Sequence, residues 1–253
     1  MDQEQYTIMY EVERTHWWYQ GMRRNTKALL SRYLAPGLSY MVLDAGCGTG
    51  GTTIDLDAFG TVFGLDFSPD ALGYAQSRGL KRLVRGSIER LPFPDDTFDL
   101  VTCFDVLYHR AVGDERNALA EFRRVLKPGG IALVRDPAFD WLRGAHDVGI
   151  HTERRFTTKQ LGNRFRDAGL EVIYSTYGNV VLFPLALAKR AVDRFVPSPA
   201  DLDVPPAPIN EVFKAALALE EPFAGRVPLP VGLSAVVLGR KMCIPSPSGR
   251  GLG

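Results

Sequence analysis

The sequence predicts an α/β fold built around a parallel β-sheet. Between residues 39 and 137, short apolar runs alternate with stretches that carry apolar residues at helical spacing. This alternation is typical of βαβ units, in which a helix carries the chain back to start the next parallel strand. A glycine-rich loop follows the first run, and a Lys-Pro-Gly-Gly turn precedes the last. The apolar runs, each predicted to be a strand, are residues 41–45, 62–65, 82–84, 100–104 and 131–134.

Further elements follow from shorter patterns. Residues 114–126 place apolar side chains at helical spacing, which predicts a helix on one face of the sheet. A second helix should start at Thr157 and lead into a sixth strand at 170–177. Residues 234–240, which follow a proline- and glycine-rich stretch, should form a seventh.

The segments outside the sheet predict additions to one large domain. An aromatic-rich N-terminal stretch stops at Pro36-Gly37 and should be helical. A long insertion before the seventh strand combines two helical patterns with a proline-rich middle. The predicted domains are an N-terminal helical lid (1–38), the sheet domain (39–178 and 232–242), a helical cap (179–231) and a disordered tail (243–253).

Composition excludes several classes of function. The chain has 253 residues with a formal net charge of +1, so no global basic field indicates a nucleic-acid partner. The three cysteines form no CxxC pair and the four histidines no metal-binding pattern, so no metal site is expected. No apolar run approaches the roughly 20 residues that a membrane-spanning helix needs. The acidic N-terminus is unlike a secretory signal, so we expect a cytoplasmic location.

The glycine loop predicts a cofactor site. Glycines allow a tight turn and a close approach of the backbone to a ligand, and the following helix, expected from about Thr52, presents free N–H groups. Gly46, Gly48 and Gly51 satisfy the GxGxxG pattern, which fits a nicotinamide dinucleotide as well as S-adenosylmethionine. Asp66, at the end of the second strand, could bind the ribose of either, or could be a turn or capping residue.

Asp44 favours one of the two cofactors. It lies just before Gly46, where a carboxylate can orient the loop and face the ligand. S-adenosylmethionine carries an ammonium and a sulfonium, whereas the pyrophosphate of a dinucleotide would be repelled.

Four ordered blocks make the resemblance specific. Over about residues 40–137 the chain resembles class I S-adenosylmethionine-dependent methyltransferases that act on small molecules. The blocks are residues 43–50, 64–69, 91–101 and 124–130. The resemblance implies a Rossmann-like, doubly wound sheet of seven strands with an antiparallel last strand. In that family a short hairpin usually joins the last two strands, so the insertion at 179–231 is a departure.

The resemblance also implies which residues hold the cofactor. Asp66 would bind the ribose, with Phe67 beside the adenine. Ser87 and Ile88 occupy a position where the family usually has an acid and a small residue, so either Ser87 suffices or Glu89 takes part. Phe104, at the end of the fourth strand, should lie near the cofactor as well. The methionine part would be held by Asp44, Gly46, Gly48 and Gly50.

The catalytic residues are predicted with alternatives. Methyl transfer needs a base only where the acceptor must lose a proton. His109 is the first candidate because the pKa of an unperturbed imidazole suits proton transfer near neutrality, although it could merely pack or donate a hydrogen bond. Asp105, Asp136 and His151 are weaker candidates. Tyr108 should point toward the acceptor.

The lid and the cap should surround the acceptor. Trp17, Trp18 and Tyr19 are interpreted as part of a lid over cofactor and acceptor, with packing against the core as the alternative. Arg154 or Arg155 could reach an anionic acceptor or form structural salt bridges. The apolar cap could instead be a dimer face or, with Lys189-Arg190, a membrane-surface patch.

The sequence thus predicts methyl transfer from S-adenosylmethionine to a small-molecule or lipid-like acceptor. The alternatives are a nicotinamide-dependent oxidoreductase and a non-catalytic S-adenosylmethionine-binding protein. The oligomeric state, monomer or homodimer, stays open, as does a peripheral contact with a membrane.

Overall fold

A mixed sheet forms the centre of the computed structural model, which describes residues 3–144, 147, 151–193 and 204–243. Its strands are β1 (Tyr40–Ala45), β2 (Gly60–Asp66), β3 (Leu83–Arg85), β4 (Phe98–Phe104), β5 (Leu126–Pro137), β6 (Leu170–Gly178) and β7 (Ser234–Lys241). They form one seven-stranded sheet in the order β3-β2-β1-β4-β5-β7-β6. The pairs within β3-β2-β1-β4-β5 are parallel, and β7 runs antiparallel to both β5 and β6. The predicted fold class is confirmed.

Helices cover both faces of the sheet. They are α1 (Gln3–Val12), α2 (Trp17–Tyr33), α3 (Gly51–Leu56), α4 (Pro69–Ser77), α5 (Glu115–Val125), α6 (Thr158–Asp167), α7 (Phe183–Asp193) and α8 (Ala207–Ala218). Side-chain caps begin α5 and α6. The Asp114 side chain accepts from the N–H of Arg116 at α5, and Thr157 forms a reciprocal capping box with Gln160 at α6.

Side chains that alternate between the two faces of the sheet form two hydrophobic cores. Leu43 and Val101 lie in one cluster with Phe122 of α5 and Phe165 of α6. Their neighbours in sequence, among them Leu100, lie in a second cluster with α2 and α3 on the other face. Because side chains of a strand point alternately to opposite faces, one apolar run supplies both cores.

The fifth strand differs from its prediction. It begins at Leu126, before the Lys-Pro-Gly-Gly sequence that was expected to be a turn. Leu126 pairs with Phe98 and Ile131 with Leu100, so the extra residues of β5 are accommodated as an irregularity. Gly129 has a φ of 82°, which favours glycine, and proline donates no ladder hydrogen bond.

The helix α8 of the cap packs on the lid rather than standing apart. A Cβ at Gly21 of α2 would overlap Leu217, so the two helices approach closely there. Asn210 accepts a hydrogen bond from the N–H of Trp17 at 2.9 Å and donates to the carbonyl of Thr15 at 3.0 Å. In the described part of the chain, no helix has both the length and the apolar character to cross a membrane. The predicted disordered tail lies, apart from Cys243, outside the described residues.

Candidate cofactor and acceptor site

A cavity of about 840 Å³ opens at the carboxyl ends of the parallel strands. The residues that follow β1, β2, β3 and β4 line it, and α1 and the start of α2 cover it. The strand order changes direction between β1 and β4, which is the position where open α/β sheets bind their ligands. This cavity is the candidate site.

The glycine loop presents bare backbone to the cavity. Gly46 and Gly48 line it with φ values of 87° and 54°, a region that favours glycine. A Cβ at Gly46 would overlap Val106, and one at Gly48 would lie 3.0 Å from Cε of Met9. Gly50, which was expected to join them, lies outside the cavity lining and precedes α3 with a φ of 85°.

Asp44 is buried at the base of this loop. It is 2% exposed, and its two carboxylate oxygens accept hydrogen bonds from the hydroxyls of Thr53, at 2.6 Å, and Thr102, at 2.8 Å. Burial raises its pKa, while these two hydrogen bonds act in the opposite direction. Asp44 thereby fixes α3 and β4 to the loop and presents a carboxylate to the cavity wall.

Asp66 organises the next turn. One carboxylate oxygen accepts from the N–H of Gly48 and the other from the N–H of Ser68, both at 2.9 Å. Each oxygen retains a lone pair, so the turn role and a ligand role are compatible. Phe67 beside it is 70% exposed and lines the mouth. Tyr6 of α1 packs over this turn, and its pKa is raised to about 12 by burial and by the Asp66 charge.

The wall after β3 contains the three residues expected at the adenine end. Ile88 is 7% exposed and supplies apolar surface, and Ser87 accepts a hydrogen bond from the N–H of Glu89 at 3.2 Å. The carboxylate of Glu89 accepts from the N–H groups of Gly113 and Asp114 at 3.0 and 2.8 Å. Glu89 therefore binds the loop after β4 while it lines the cavity.

Glu13 is a site residue that the sequence reasoning missed. It is 5% exposed, accepts from the hydroxyl of Thr49 at 2.5 Å and forms an ion pair with Arg78 of α4. Its carboxylate also occupies the space that a Cβ at Gly51 would need. Its spacing from Tyr6 and Met9, at i+7 and i+4, places an acid on the apolar face of α1, and that signal could have found it.

Additional contacts hold the lid on α4. The hydroxyls of Thr7 and Tyr74 lie 2.6 Å apart, and the rings of Tyr10 and Tyr74 are 4.9 Å apart. The guanidinium of Arg78 lies 4.1 Å from the centre of the Tyr10 ring. These contacts pack α1 against α4 beside the glycine loop, and the role of α1 as a lid stays a prediction.

The three lid aromatics all line the cavity. Trp17 also packs edge-on against Phe213 of the cap, with ring centres 5.2 Å apart. Trp18 lies over the guanidinium of Arg135 at 5.3 Å, and Tyr19 packs edge-on against Trp18. The side chains of this segment therefore both pack within the protein and line the cavity, and their role as a lid stays a prediction.

The end of β4 supplies the candidates for catalysis. Tyr108 is 5% exposed and Asp105 forms an ion pair with Arg135, and both line the cavity. His109 lines it too. Its Nδ1 accepts from the N–H of Ala111 at 3.0 Å, and burial, followed by neighbouring positive charge, lowers its pKa to about 4. His151 is absent from the cavity lining, and its ring centre is 5.8 Å from that of His109.

Asp136 is buried beside the site without lining it. One of its carboxylate oxygens accepts from the N–H of Tyr108 at 3.1 Å, and the other has no hydrogen-bond partner among the described residues. Burial, and then the charge of Asp105, raises its pKa well above the usual value.

The two neighbouring arginines, Arg154 and Arg155, have different surroundings. Arg154 pairs with Glu115 at 3.1 Å, outside the cavity lining, so the structural alternative describes it. Arg155 lines the cavity with a buried side chain that pairs with Asp147 at 2.7 Å. Arg190 of α7 lines the same region.

The charges that line the cavity are unevenly distributed. Four carboxylates surround the glycine loop and the adjacent turns, the guanidinium groups of Arg155 and Arg190 lie toward the cap, and Asp105 pairs with Arg135. The carboxylates are those of Glu13, Asp44, Asp66, Glu89 and Asp105; the guanidinium groups are those of Arg135, Arg155 and Arg190. A ligand with cationic groups fits the acidic end, and the bare glycine backbone accommodates it closely.

Comparison with known proteins agrees with this geometry. Residues 43–134 match a family model described as a methyltransferase domain. Over 99 residues the chain is 46% identical to a demethylmenaquinone methyltransferase from Lactiplantibacillus plantarum, a match that covers 35% of this chain and 41% of that protein. Over 136 residues it is 33% identical to a probable S-adenosylmethionine-dependent methyltransferase from Mycolicibacterium smegmatis, covering 52% of each. The matched region thus spans about half of these relatives or less.

Solved structures share the fold over nearly the whole chain. A SAM-dependent methyltransferase from Thermotoga maritima superimposes with a TM-score of 0.58 at 19% identity, covering 94% of this chain and 95% of that one. A chain of the complex between the Haloferax volcanii Trm112 methyltransferase activator and a methyltransferase gives 0.62 at 22% identity, covering 96% and 95%.

Proposed function

Because residues 43–134 match a family model described as a methyltransferase domain, we propose that the chain transfers a methyl group from S-adenosylmethionine to a small-molecule or lipid-like acceptor. The observation that carries the proposal is one continuous cavity whose lining extends from the glycine loop to the end of β5 and to α1 and α2. Cofactor and acceptor would occupy its two ends.

The acidic end of the cavity fits the cofactor. When bound, S-adenosylmethionine supplies a methyl group on a positively charged sulfur. Gly46 and Gly48 would accommodate its methionine part against bare backbone, with Asp44 beside its ammonium. Asp66 would accept from the ribose hydroxyls, and Ile88 would pack against the adenine.

The chain itself contributes alignment and exclusion of water. Methyl transfer requires the acceptor atom to be held in line with the bond that breaks, and little acid–base chemistry. Trp17, Trp18 and Tyr108 would form the walls that orient the acceptor, since all three line the cavity. The contacts between Glu13, Thr49 and Arg78 would keep the lid closed and water out during transfer.

The properties of His109 favour an orienting role over that of a general base. With its pKa lowered to about 4, the ring is neutral at physiological pH and binds a proton weakly. Its Nδ1 lone pair is already engaged by the N–H of Ala111, so the remaining ring nitrogen carries the proton and can donate. An acceptor that must lose a proton would need it taken by another group or by water.

Calorimetric titration tests the cofactor half of the proposal. We expect S-adenosylmethionine and its demethylated product to bind, and NAD not to bind. Asp66→Ala should weaken binding about tenfold or more, because a charge-assisted hydrogen bond to the ribose is lost. Asp99→Asn is the matched control, since Asp99 pairs with Lys127 outside the cavity lining.

Turnover tests the acceptor half. The protein would be incubated with isotopically labelled S-adenosylmethionine and a panel of quinols, phenols, amines, carboxylic acids and lipids, and labelled products would be sought by mass spectrometry. Tight cofactor binding with no labelled product from any acceptor would favour a non-catalytic binding protein. Binding of NAD in preference to S-adenosylmethionine would overturn the proposal.

A further inference from the structure

One part of the cavity wall, formed by the segment after β5, the cap helix and the approach to β7, is apolar and carries two guanidinium groups. We call it the acceptor wall and define it by Leu142, Arg155, Ala186, Arg190 and Leu233, which all line the cavity. Its apolar members come from the segment after β5, from the cap helix α7 and from the approach to β7. A ligand at this wall therefore meets apolar surface and positive charge together.

Arg155 is held in place by hydrogen bonds, and its charge is paired with that of Asp147. Its Nε and Nη2 donate to one carboxylate oxygen of Asp147 at 2.9 and 2.7 Å, and its Nη1 donates to the carbonyl of Ala138 at 2.8 Å. Asp147 is 4% exposed and is itself held by the N–H of Gly144 at 2.7 Å. Arg155 thus forms a rigid and nearly neutral part of the wall.

Arg190 differs from Arg155 in that no carboxylate of the described residues is paired with it. Arg143, by contrast, pairs with Asp140, and Arg155 with Asp147. Its guanidinium packs on Gly144, where a Cβ would overlap it. Burial lowers the pKa of Arg155, and the charges of Arg190 and Arg143 lower it further, which places positive charge close together here.

The distribution of charge indicates what this wall binds. The carboxylates that line the cavity lie around the glycine loop and beside Arg135, at the end that fits a cationic cofactor. At the acceptor wall, one positive charge that no described carboxylate pairs suits a ligand with one negative charge, because a doubly charged phosphate ester would remain half neutralised. The planar guanidinium of Arg190 matches a carboxylate with two parallel hydrogen bonds.

We propose that the acceptor is an apolar carboxylic acid whose carboxylate binds Arg190, with Arg155 as a positioning residue beside it. The inference rests on the proposed methyl transfer and specifies the class of its acceptor. The body of the acid would pack on Leu142, Ala186 and Leu233. The carboxylate thereby anchors the molecule at the acceptor wall.

The test compares acids with their uncharged amides. The full chain, saturated with S-adenosylhomocysteine, would be titrated calorimetrically with benzoate, 2-naphthoate, hexanoate and decanoate and with the four corresponding primary amides. We expect at least one acid to bind, and to bind at least tenfold more tightly than its amide. Arg190→Gln should weaken that acid by about 10- to 100-fold, the loss expected for hydrogen bonds to a charged group.

Matched variants separate the proposed role from a structural one. Lys189→Gln removes a positive charge from the adjacent position of the same helix, whose side chain is not part of the cavity lining, and should leave acid binding unchanged. Arg190→Lys keeps the charge without the planar fork and should restore part of the affinity. Gly144→Ala should displace the guanidinium and weaken the acid several-fold while S-adenosylhomocysteine still binds.

The outcomes distinguish this inference from the function on which it rests. If S-adenosylhomocysteine fails to bind the wild-type protein, the methyltransferase proposal itself is refuted. If it binds, but no acid binds better than its amide or Arg190→Gln has no effect, only the carboxylate assignment falls. Tighter binding of 2-naphthyl phosphate than of 2-naphthoate would overturn the choice of a carboxylate in favour of a phosphate.

Discussion

Replacement of Glu13 by alanine should destabilise the protein and loosen the cofactor loop together. The Glu13 side chain is 7% exposed and that of its partner Arg78 is 9% exposed, with 2.5 Å between Oε1 and Nη2. The same carboxylate oxygen accepts from the hydroxyl of Thr49. Alanine would leave the guanidinium of Arg78 buried without a counter-charge and would open a gap against Gly51.

The expected loss of stability for Glu13→Ala follows from the burial of both Glu13 and Arg78. Removing one member of a buried ion pair costs about 3–5 kcal/mol in the free energy of unfolding, because the other charge stays desolvated. In the variant Arg78 still donates to the carbonyls of Thr49 at 2.8 Å and Tyr10 at 2.6 Å. We therefore expect a loss near the lower limit of this range, about 3 kcal/mol. Burial raises the pKa of Glu13 despite its contacts with Thr49 and Arg78. The ionised form of Glu13 is therefore itself costly in the fold.

The isostere Glu13→Gln therefore separates shape from charge. Glutamine can still accept from Thr49 and fill the gap, so it should cost clearly less than alanine. Since the folded pKa of Glu13 lies above its unfolded value, wild type loses stability relative to Glu13→Gln as pH rises from about 4.3 through the raised pKa. The two variants should thus differ in size of effect and in pH dependence.

Urea denaturation and calorimetric titration with S-adenosylhomocysteine would measure these effects. Glu211→Ala is the control, because Glu211 pairs with Lys214 on the surface with 62% of its side chain exposed, and it should change stability by less than about 1 kcal/mol. A loss below about 1 kcal/mol for Glu13→Ala, with unchanged cofactor binding, would refute the reasoning about the closed lid.

Other substitutions test the rest of the site. Gly46→Ala should cost about 1–3 kcal/mol and reduce S-adenosylhomocysteine binding in titration, because φ is 87° and the new Cβ overlaps Val106. Asp136 has a pKa well above its usual value, so wild type should lose stability relative to Asp136→Asn in urea as pH rises above about 3.9; parallel pH profiles would contradict this. His109 has its pKa lowered to about 4 in the fold, so wild type should lose thermal stability relative to His109→Gln as pH falls from about 6.5 to about 4. The rate of methyl transfer by wild type should show no inflection from His109 between pH 6 and 8, and an inflection there that His109→Gln removes would restore the general base.

The elements that the sequence predicted well are those with local signals. β1, the glycine loop and α3 are contiguous, and the apolar runs define the strands through alternation alone. The fifth strand was predicted least accurately, since an irregular register sets the bounds of Leu126–Pro137. Its limits depend on the neighbouring strand, which no local pattern describes.

The residues of the candidate site also fall into those that a local sequence pattern predicts and those that only the structure identifies. Gly46, Gly48, Asp44 and Asp66 could be predicted because they lie within 22 residues of one another in the chain and form a recognisable motif. Gly50 shares that motif, yet only the structure shows that it shapes the turn without lining the cavity.

The sequence by itself determined the fold class and the cofactor, because both depend on short patterns of glycine, acid and apolar spacing. The tertiary structure alone decided that Glu13 bonds to Thr49, 36 residues away, and that Arg190 lies beside the pair of Arg155 and Asp147 with no carboxylate of the described residues paired to it. Such contacts join segments that chain folding brings together, and the burial that gives them their strength exists only once both segments have left water.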